Sequence, residues 1–286
     1  MWNSKHIFIH DFQLIDVYLS NELFPLIKEF GLSDWFYIRY WQGGPHIRLR
    51  YNMESDKQAA FELRLINSVK EFERVHGDRN FQEINYDERN LKLEKVEELT
   101  VYPNFSVQSI PYIAEYERYG GKRAIAYSER LFTASSELAI NIMNSVNWPK
   151  RYVIAFDLMY YSFQIAKKLG LVQSDEQFFR SYHHVWDSFD SEENPYIRAS
   201  LEERKEKISN REDVPKAYQH YLDELKLAFD EIILHQHSYK PENLYYIMIS
   251  HIHMLNNRLG ISPENEYFLS GIYLKERESI HEAVEL

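Results

Sequence analysis

Residues 35–51, WFYIRYWQGGPHIRLRY, concentrate the side chains best suited to holding negative charge. In the second half of this stretch the period of two of a strand puts His46, Arg48 and Arg50 on one side and Ile47, Leu49 and Tyr51 on the other. Same-face side chains on a strand stand about 6.5–7 Å apart, so Arg48 and Arg50 can grip neighbouring oxyanions of one extended substrate. The planar guanidinium fork matches carboxylates better than an ammonium does. Arg39, on the preceding strand, shares a face with Trp35 and Tyr37 and extends the candidate cationic wall. The plainer use of such residues is an exposed sheet face whose arginines pair with the chain's own Glu and Asp.

Two further clusters carry chemistry. In AEYERYGG (residues 114–121), Glu115 and Arg118 are three apart and meet if the segment turns helically, just before a double glycine that opens a helix. A surface Glu–Arg pair of little energetic weight is the alternative there. In SHIHMLNNRL (residues 250–259) the pattern is helical. Tyr246, Ser250, His253 and Asn257 recur at i, i+4, i+7 and i+11, beside a broad apolar side made by Leu244, Tyr245, Met248, Ile249, Ile252, Leu255 and Leu259. Such a stripe faces a pocket or faces solvent. A histidine on it either transfers protons, since imidazole titrates near neutral pH, or is a hydrogen-bonded core group.

Other chemistries lose support. The chain has no cysteine, which excludes disulfides, thiolate catalysis and cysteine-ligated metals. His235/His237 and His251/His253 are His-x-His pairs, but on a helix i and i+2 diverge, so no metal site is expected. HExxH, Walker A, dinucleotide and GxSxG fingerprints are absent, and no cofactor is expected. A net charge of −11 argues against direct nucleic-acid binding.

The elements that must position these residues follow from periodicity. With 286 residues, 44% of them hydrophobic, the chain can bury a large core, and 22 Tyr and 17 Phe make that core aromatic, with phenolic hydroxyls needing partners. The first 120 residues read as α+β: a strand in KHIFIHDF, a helix around 12–30, the arginine hairpin, a helix near 55–76, and strands near 81–86 and 95–104. Beyond Gly120-Gly121 the pattern is helical, near 122–146, 149–169, 174–189, 195–208, 214–235, 241–259 and 263–282. Pro241 and Pro263 fit first-turn positions, Ser262 an N-cap, and Gly260 a C-terminal stop. The expected fold is α+β, an N-terminal antiparallel sheet with helices followed by a mostly helical half, in one compact unit and a single domain over 1–286. The amino terminus lacks a signal-peptide pattern and no long uncharged apolar run occurs, so a soluble cytoplasmic protein without a membrane span is expected.

Taken together and in order, WFYIRYWQGGPHIRLRY, EYERYGG and SHIHMLNNRLG resemble the lantibiotic dehydratase carboxy-terminal domain, also described as the thiopeptide-type bacteriocin biosynthesis domain, in its stand-alone form. The resemblance runs from Trp2 to nearly the end of the chain. It implies that a glutamylating partner protein loads glutamate from glutamyl-tRNA onto Ser or Thr of a precursor peptide. The domain resembled here then expels that glutamate as a lyase, leaving dehydroalanine or dehydrobutyrine. The family's catalytic residues fall on Arg48, Arg50, Glu115, Arg118 and His253. Substrate-binding positions are expected at Arg39, His46, Tyr119, Ser250 and Asn257. A longer polar segment between the arginine strand and EYERYGG departs from the family pattern and bears on the peptide groove.

In this reading one arginine binds the glutamyl group and another the peptide carbonyl as it gains charge. His253 moves the proton, with Asn257 orienting it, and Glu115 either orients Arg118 or is itself the base. A homodimer is a family-level expectation. Two other functions remain open. One is the family's pyridine-synthase branch, which performs an aza-[4+2] cycloaddition of two dehydroalanines and releases the leader peptide. The other is a non-catalytic module that recruits the precursor peptide by strand addition.

Overall fold

The computed structural model describes residues 2–81, 83–84, 86–94, 100–190, 195–211, 213–235 and 241–274. As expected, its class is α+β, with a small antiparallel sheet near the N-terminus and helices after it. The residues group into two compact units, 1–114 with 135–145, and 115–134 with 146–286.

In the first unit, β1 (Asn3–Phe8) leads into α1 (Phe12–Tyr18), capped by Asp11, whose carboxylate accepts the N–H groups of Gln13 and Leu14 at 2.7 and 3.0 Å. A π-helical turn, Leu19–Leu23, joins α1 to α2 (Phe24–Glu29). The sequence pattern reads as one helix, and the widened turn lies directly before Pro25, which has no N–H for the regular ladder. Then come β2 (Asp34–Tyr40), β3 (His46–Asn52), α3 (Ser55–His76), α4 (Glu88–Glu94) and β4 (Ser106–Gln108). The sheet order is β2-β3-β1-β4, all antiparallel. No strand forms among the described residues of 81–86. Of the stretch 95–104, residues 95–99 lie outside the described residues and 100–104 are irregular, the strand instead being β4.

One face of the sheet carries Trp35, Tyr37, Ile47, Leu49 and Tyr51, packed against Leu14, Ile15, Tyr18, Phe61, Leu65 and Val69. Each such large apolar side chain contributes about 1.5–3 kcal/mol by leaving water. The outer edge of β2 is covered as well, because Ser136 accepts the Tyr37 N–H at 3.2 Å.

The second unit is helical. Helix α5 (Ile125–Ser145) gives it residues 125–134 and gives the first unit 135–145. It is followed by α6 (Trp148–Lys168), α7 (Asp175–Val185), α8 (Pro195–Ser209), α9 (Lys216–His235), α10 (Pro241–Leu259) and α11 (Pro263–Ile272). Helix α6 packs on α8, α9 and α10, while α11 packs on α7 and α8. The interior is aromatic: the Tyr273 ring stacks on Phe179 at 3.9 Å and on Phe156 at 4.3 Å, and its hydroxyl donates to the Phe156 carbonyl.

Gly260 ends α10 as its position implies. With φ +81 it turns left-handed, and the N–H groups of Gly260 and Ile261 return to the carbonyls of Asn257 and Asn256. Ser262 stands at the N-cap of α11, although its hydroxyl makes no capping bond. The helix read over 263–282 ends at Ile272, and 275–282 lie outside the described residues, as does His237. Among the described residues no helix is long and apolar enough to cross a membrane.

Candidate functional site

In the first unit the chemistry gathers on the sheet face opposite the core. His46, Arg48 and Arg50 do alternate with Ile47, Leu49 and Tyr51, which are fully buried. The β2–β3 register pairs Phe36 with Arg50, Ile38 with Arg48 and Tyr40 with His46, so these residues share the cationic face. The same register sets Arg39 opposite Ile47, on the core side. Arg39 is therefore no extension of the arginine wall. It is 5% exposed, ion-paired with Asp16 at 2.5 Å and in contact with the Met143 sulfur at 2.9 Å.

Arg50 is only 7% exposed. Its guanidinium donates to the Leu49 carbonyl at 3.2 Å, meets His6 Nε2 at 3.3 Å and faces the Tyr112 ring at 5.5 Å. No carboxylate pairs with it among the described residues. Burial, then the neighbouring Arg48 charge, lowers its pKa to about 10, which leaves it cationic at neutral pH. Arg48 lies flat on the Tyr40 ring, 3.4 Å from the centroid. A buried cation without a counter-charge is costly, and a bound anion relieves that cost.

His46 was expected to meet substrate. It is instead 1% exposed and meets Arg48. His6 was not singled out by sequence reading at all. The alternation of KHIFIHDF placed His6 and Phe8 on one side of a strand, but only the β1–β3 pairing puts that side beside Arg48 and Arg50.

In the second unit, residues 115–119 turn helically, with the Arg118 and Tyr119 N–H groups returning to the Glu115 carbonyl. That turn closes the Glu115–Arg118 ion pair at 3.1 Å, and Arg118 also donates to the Ser250 hydroxyl at 3.3 Å. The EYERYGG loop and the polar stripe of α10 are thereby joined. The Tyr119 ring lies 5.7 Å from the Arg118 guanidinium. It is 3% exposed and packs on Phe132 and His251 at 4.8 and 5.1 Å, so it is a core ring rather than a substrate contact.

Helix α10 divides as its periodicity implies: Leu244, Tyr245, Met248, Ile249, Ile252, Leu255 and Leu259 are buried, Tyr246 is exposed, and Ser250, His253 and Asn257 are half-buried. Of the two histidines, His251 faces inward at 2% exposure, and burial followed by Arg258 and Arg118 lowers its pKa to about 3. His253 lies one turn from Ser250, and its Nδ1 meets Glu266 Oε1 at 2.7 Å while its ring rests on Trp186 at 4.7 Å. Glu266 has no exposure and accepts further hydrogen bonds from the Tyr182 hydroxyl and from Asn256 at 3.1 Å. The partner that orients His253 is thus Glu266 on α11. Nothing local in the sequence marks Glu266, which resembles any other first-turn acid of a helix.

The sheet face of the first unit can bind an oxyanion against buried Arg50 and half-buried Arg48, and the second unit holds an imidazole by a buried carboxylate so that its Nε2 can take a proton.

Comparison with known proteins agrees with the motifs. The chain is 24% identical over 291 residues to the epidermin biosynthesis protein EpiB of Staphylococcus epidermidis, covering 95% of this chain and 25% of EpiB. Among solved structures it resembles the pyridine synthase TbtD from thiomuracin biosynthesis, with a TM-score of 0.68, 14% identity and 99% of both chains covered. It also resembles the tRNA dependent lantibiotic dehydratase MibB from Microbispora sp. 107891, with a TM-score of 0.63, 17% identity, and 100% of this chain but 28% of MibB covered. The likeness to these two structures is one of fold. The chain spans about a quarter of the length of EpiB and of MibB. Residues 2–275 match the family described as lantibiotic biosynthesis dehydratase C-term, and the chain belongs to that family.

Proposed function

We propose that this chain expels glutamate from a glutamylated Ser or Thr of a ribosomally made precursor peptide, leaving dehydroalanine or dehydrobutyrine. The observation that carries the reading is Arg50, a cation 7% exposed with no carboxylate partner among the described residues, beside Arg48 on one sheet face. Such a wall suits a substrate that arrives with carboxylates and releases another.

In the reaction a base takes the Cα proton, the electron pair of that bond becomes the Cα=Cβ bond, and the Cβ–Oγ bond breaks. Glutamate leaves with the pair on the carboxylate that had formed the ester, its α-carboxylate when it was loaded from glutamyl-tRNA. Negative charge grows in two places, on the carbonyl oxygen next to Cα and on the leaving carboxylate, and the arginines Arg48, Arg50 and Arg118 are assigned to them. Contacts that strengthen as this charge develops lower the barrier rather than merely bind substrate. His253 is assigned as the base, because Glu266 holds its Nδ1–H and leaves Nε2 to accept the proton. Glu115, paired with Arg118 at 3.1 Å, is assigned to orient that arginine. Glutamate loading belongs, on this reading, to a tRNA-dependent glutamylating partner acting on the same peptide.

A second reading, cycloaddition of two dehydroalanines by a pyridine synthase, draws on the 99% of TbtD that the chain covers. The presence of Arg48, Arg50, Glu115, Arg118 and His253 together favours elimination. Recruitment by strand addition gains less support, since Ser136 already takes the outward N–H of Tyr37 on β2.

The deciding experiment is mass spectrometry of a Ser/Thr-glutamylated precursor peptide incubated with this protein alone, without ATP or tRNA. Loss of glutamate with formation of the dehydro residue is the expected result. Unchanged glutamyl peptide despite measured binding, with turnover of a peptide carrying two dehydroalanines, would move the assignment to cycloaddition.

A further inference from the structure

Histidines stand against both arginines of this face, and among the described residues no carboxylate pairs with the buried one, Arg50. The Gly43-Gly44 turn, with φ of +86 and +106, brings the Gly44 carbonyl to 2.8 Å from His46 Nδ1. A carbonyl only accepts, so Nδ1 carries the proton and Nε2 is left as an acceptor, to which Arg48 Nε donates at 3.2 Å. One strand over, the β1–β3 register sets His6 opposite Arg48 and Ser4 opposite Arg50, and His6 Nε2 lies 3.3 Å from Arg50 Nη2. A guanidinium only donates, so this nitrogen accepts too. The imidazoles stack on each other at 4.9 Å, and Phe8 backs His46 at 4.4 Å. Burial first, with the arginine charges adding to it, brings the His6 and His46 pKa values to about 2 and about 3, so both rings are neutral in use.

A carboxylate in the place of His6 would hold Arg50 more tightly but would cancel its charge. A neutral imidazole fixes the direction of the guanidinium and leaves the charge for a ligand. We propose that His6 is a positioning residue, a neutral acceptor stacked on His46 that aims Arg50 at the substrate's oxyanion with its charge undiminished. The proposal rests on the elimination reading for the identity of that anion.

The test uses the full chain with His6→Gln, His6→Glu and His6→Leu. Two quantities are measured: kcat and KM on a glutamylated precursor peptide, and calorimetric affinity for a non-eliminable analogue whose glutamyl ester is replaced by an amide. Circular dichroism checks folding. Loss of a positioned charge contact costs on the order of a hundred-fold in rate, so His6→Leu and His6→Glu are expected to lower kcat by at least about ten-fold. His6→Glu should also weaken analogue binding by at least about ten-fold, because the new carboxylate pairs with Arg50. His6→Gln, a neutral acceptor, should restore both.

Wild-type behaviour in all three variants, or a His6→Gln as impaired as His6→Leu, would overturn the proposal. If His6→Leu does not fold, the near-isosteric Gln and Glu variants decide it by their difference. A wild-type protein that binds the analogue but leaves the ester intact would remove the elimination reading, while the His6→Glu binding comparison still decides the positioning role. Failure of the wild type to bind the analogue would overturn both.

Discussion

Glu266 on α11 takes the Nδ1–H of His253 on α10 at 2.7 Å from a position with no solvent exposure. The carboxylate is itself fixed by Tyr182 and Asn256, so the imidazole is held in one tautomer and one orientation. Burial, followed by the adjacent Glu266, raises the Tyr182 pKa well above its ordinary value, which keeps its hydroxyl a donor. Glu266→Gln preserves the volume and removes the charge that fixes the tautomer. It should lower the single-turnover elimination rate on the order of a hundred-fold with peptide affinity retained. A rate within a few-fold of wild type would remove His253 from the role of base.

Arg50→Ala should accumulate glutamylated peptide, with a loss of roughly a hundred- to a thousand-fold in rate. Arg50→Lys should not rescue it, because an ammonium cannot hold His6, the Leu49 carbonyl and a ligand in the planar geometry that the guanidinium offers. Rapid-quench mass spectrometry of the glutamyl intermediate distinguishes these outcomes, and a fully active lysine variant would contradict the assigned role.

Gly44 is required by the arginine face for two reasons. Its φ is +106, and an added Cβ would lie 2.4 Å from His10 Nε2. Gly44→Ala should cost about 1–3 kcal/mol of stability and displace the carbonyl that sets the His46 tautomer, so activity should fall as well. Gly31 provides the control: its φ is +61 but nothing lies within 4 Å of an added Cβ. Gly31→Ala should lose stability only, as read by urea unfolding and elimination rate measured side by side.

Acid should weaken the fold through its buried histidines. His251 binds a proton in the folded state only near pH 3, against an ordinary pKa of 6.5. Below pH 6.5 the unfolded chain therefore holds more protons than the folded one, so stability is full above that pH and falls as pH drops toward 3. His6 and His46 act in the same direction. Moving from about pH 7 to about pH 5 should cost about 2 kcal/mol per such histidine. His251→Phe should reduce the acid loss by that amount, and an unchanged pH profile in urea unfolding would contradict it.

Asp157 on α6 is 1% exposed and paired bidentately with Arg204 on α8. Arg204→Met should cost roughly 3 kcal/mol, toward the low end for a buried pair because the arginine is itself 31% exposed. Adding Asp157→Leu should recover most of that loss, since the penalty is the stranded carboxylate. A double-mutant cycle by thermal unfolding measures the coupling, and strict additivity would mean that the pair contributes nothing.

What the sequence determined by itself was local. Alternation within residues 46–51 separated the arginines from Ile47, Leu49 and Tyr51. The 3.6-residue period placed the bounds of α3 and α10 and the buried side of α10, and Gly260 marked the end of a helix. Such patterns are legible because one strand or helix buries one side, whatever its neighbours are. Tertiary structure decided the rest. The pairing of Arg39 with Ile47 assigned that arginine to the core, a choice that depends on register between strands and not on alternation within one. Tyr119 and His46 were turned inward by packing partners distant in sequence. His6 and Glu266 became partners of Arg50 and His253 only through a strand pairing and a helix packing, because hydrogen-bond partners brought together by folding leave no periodic trace in the chain.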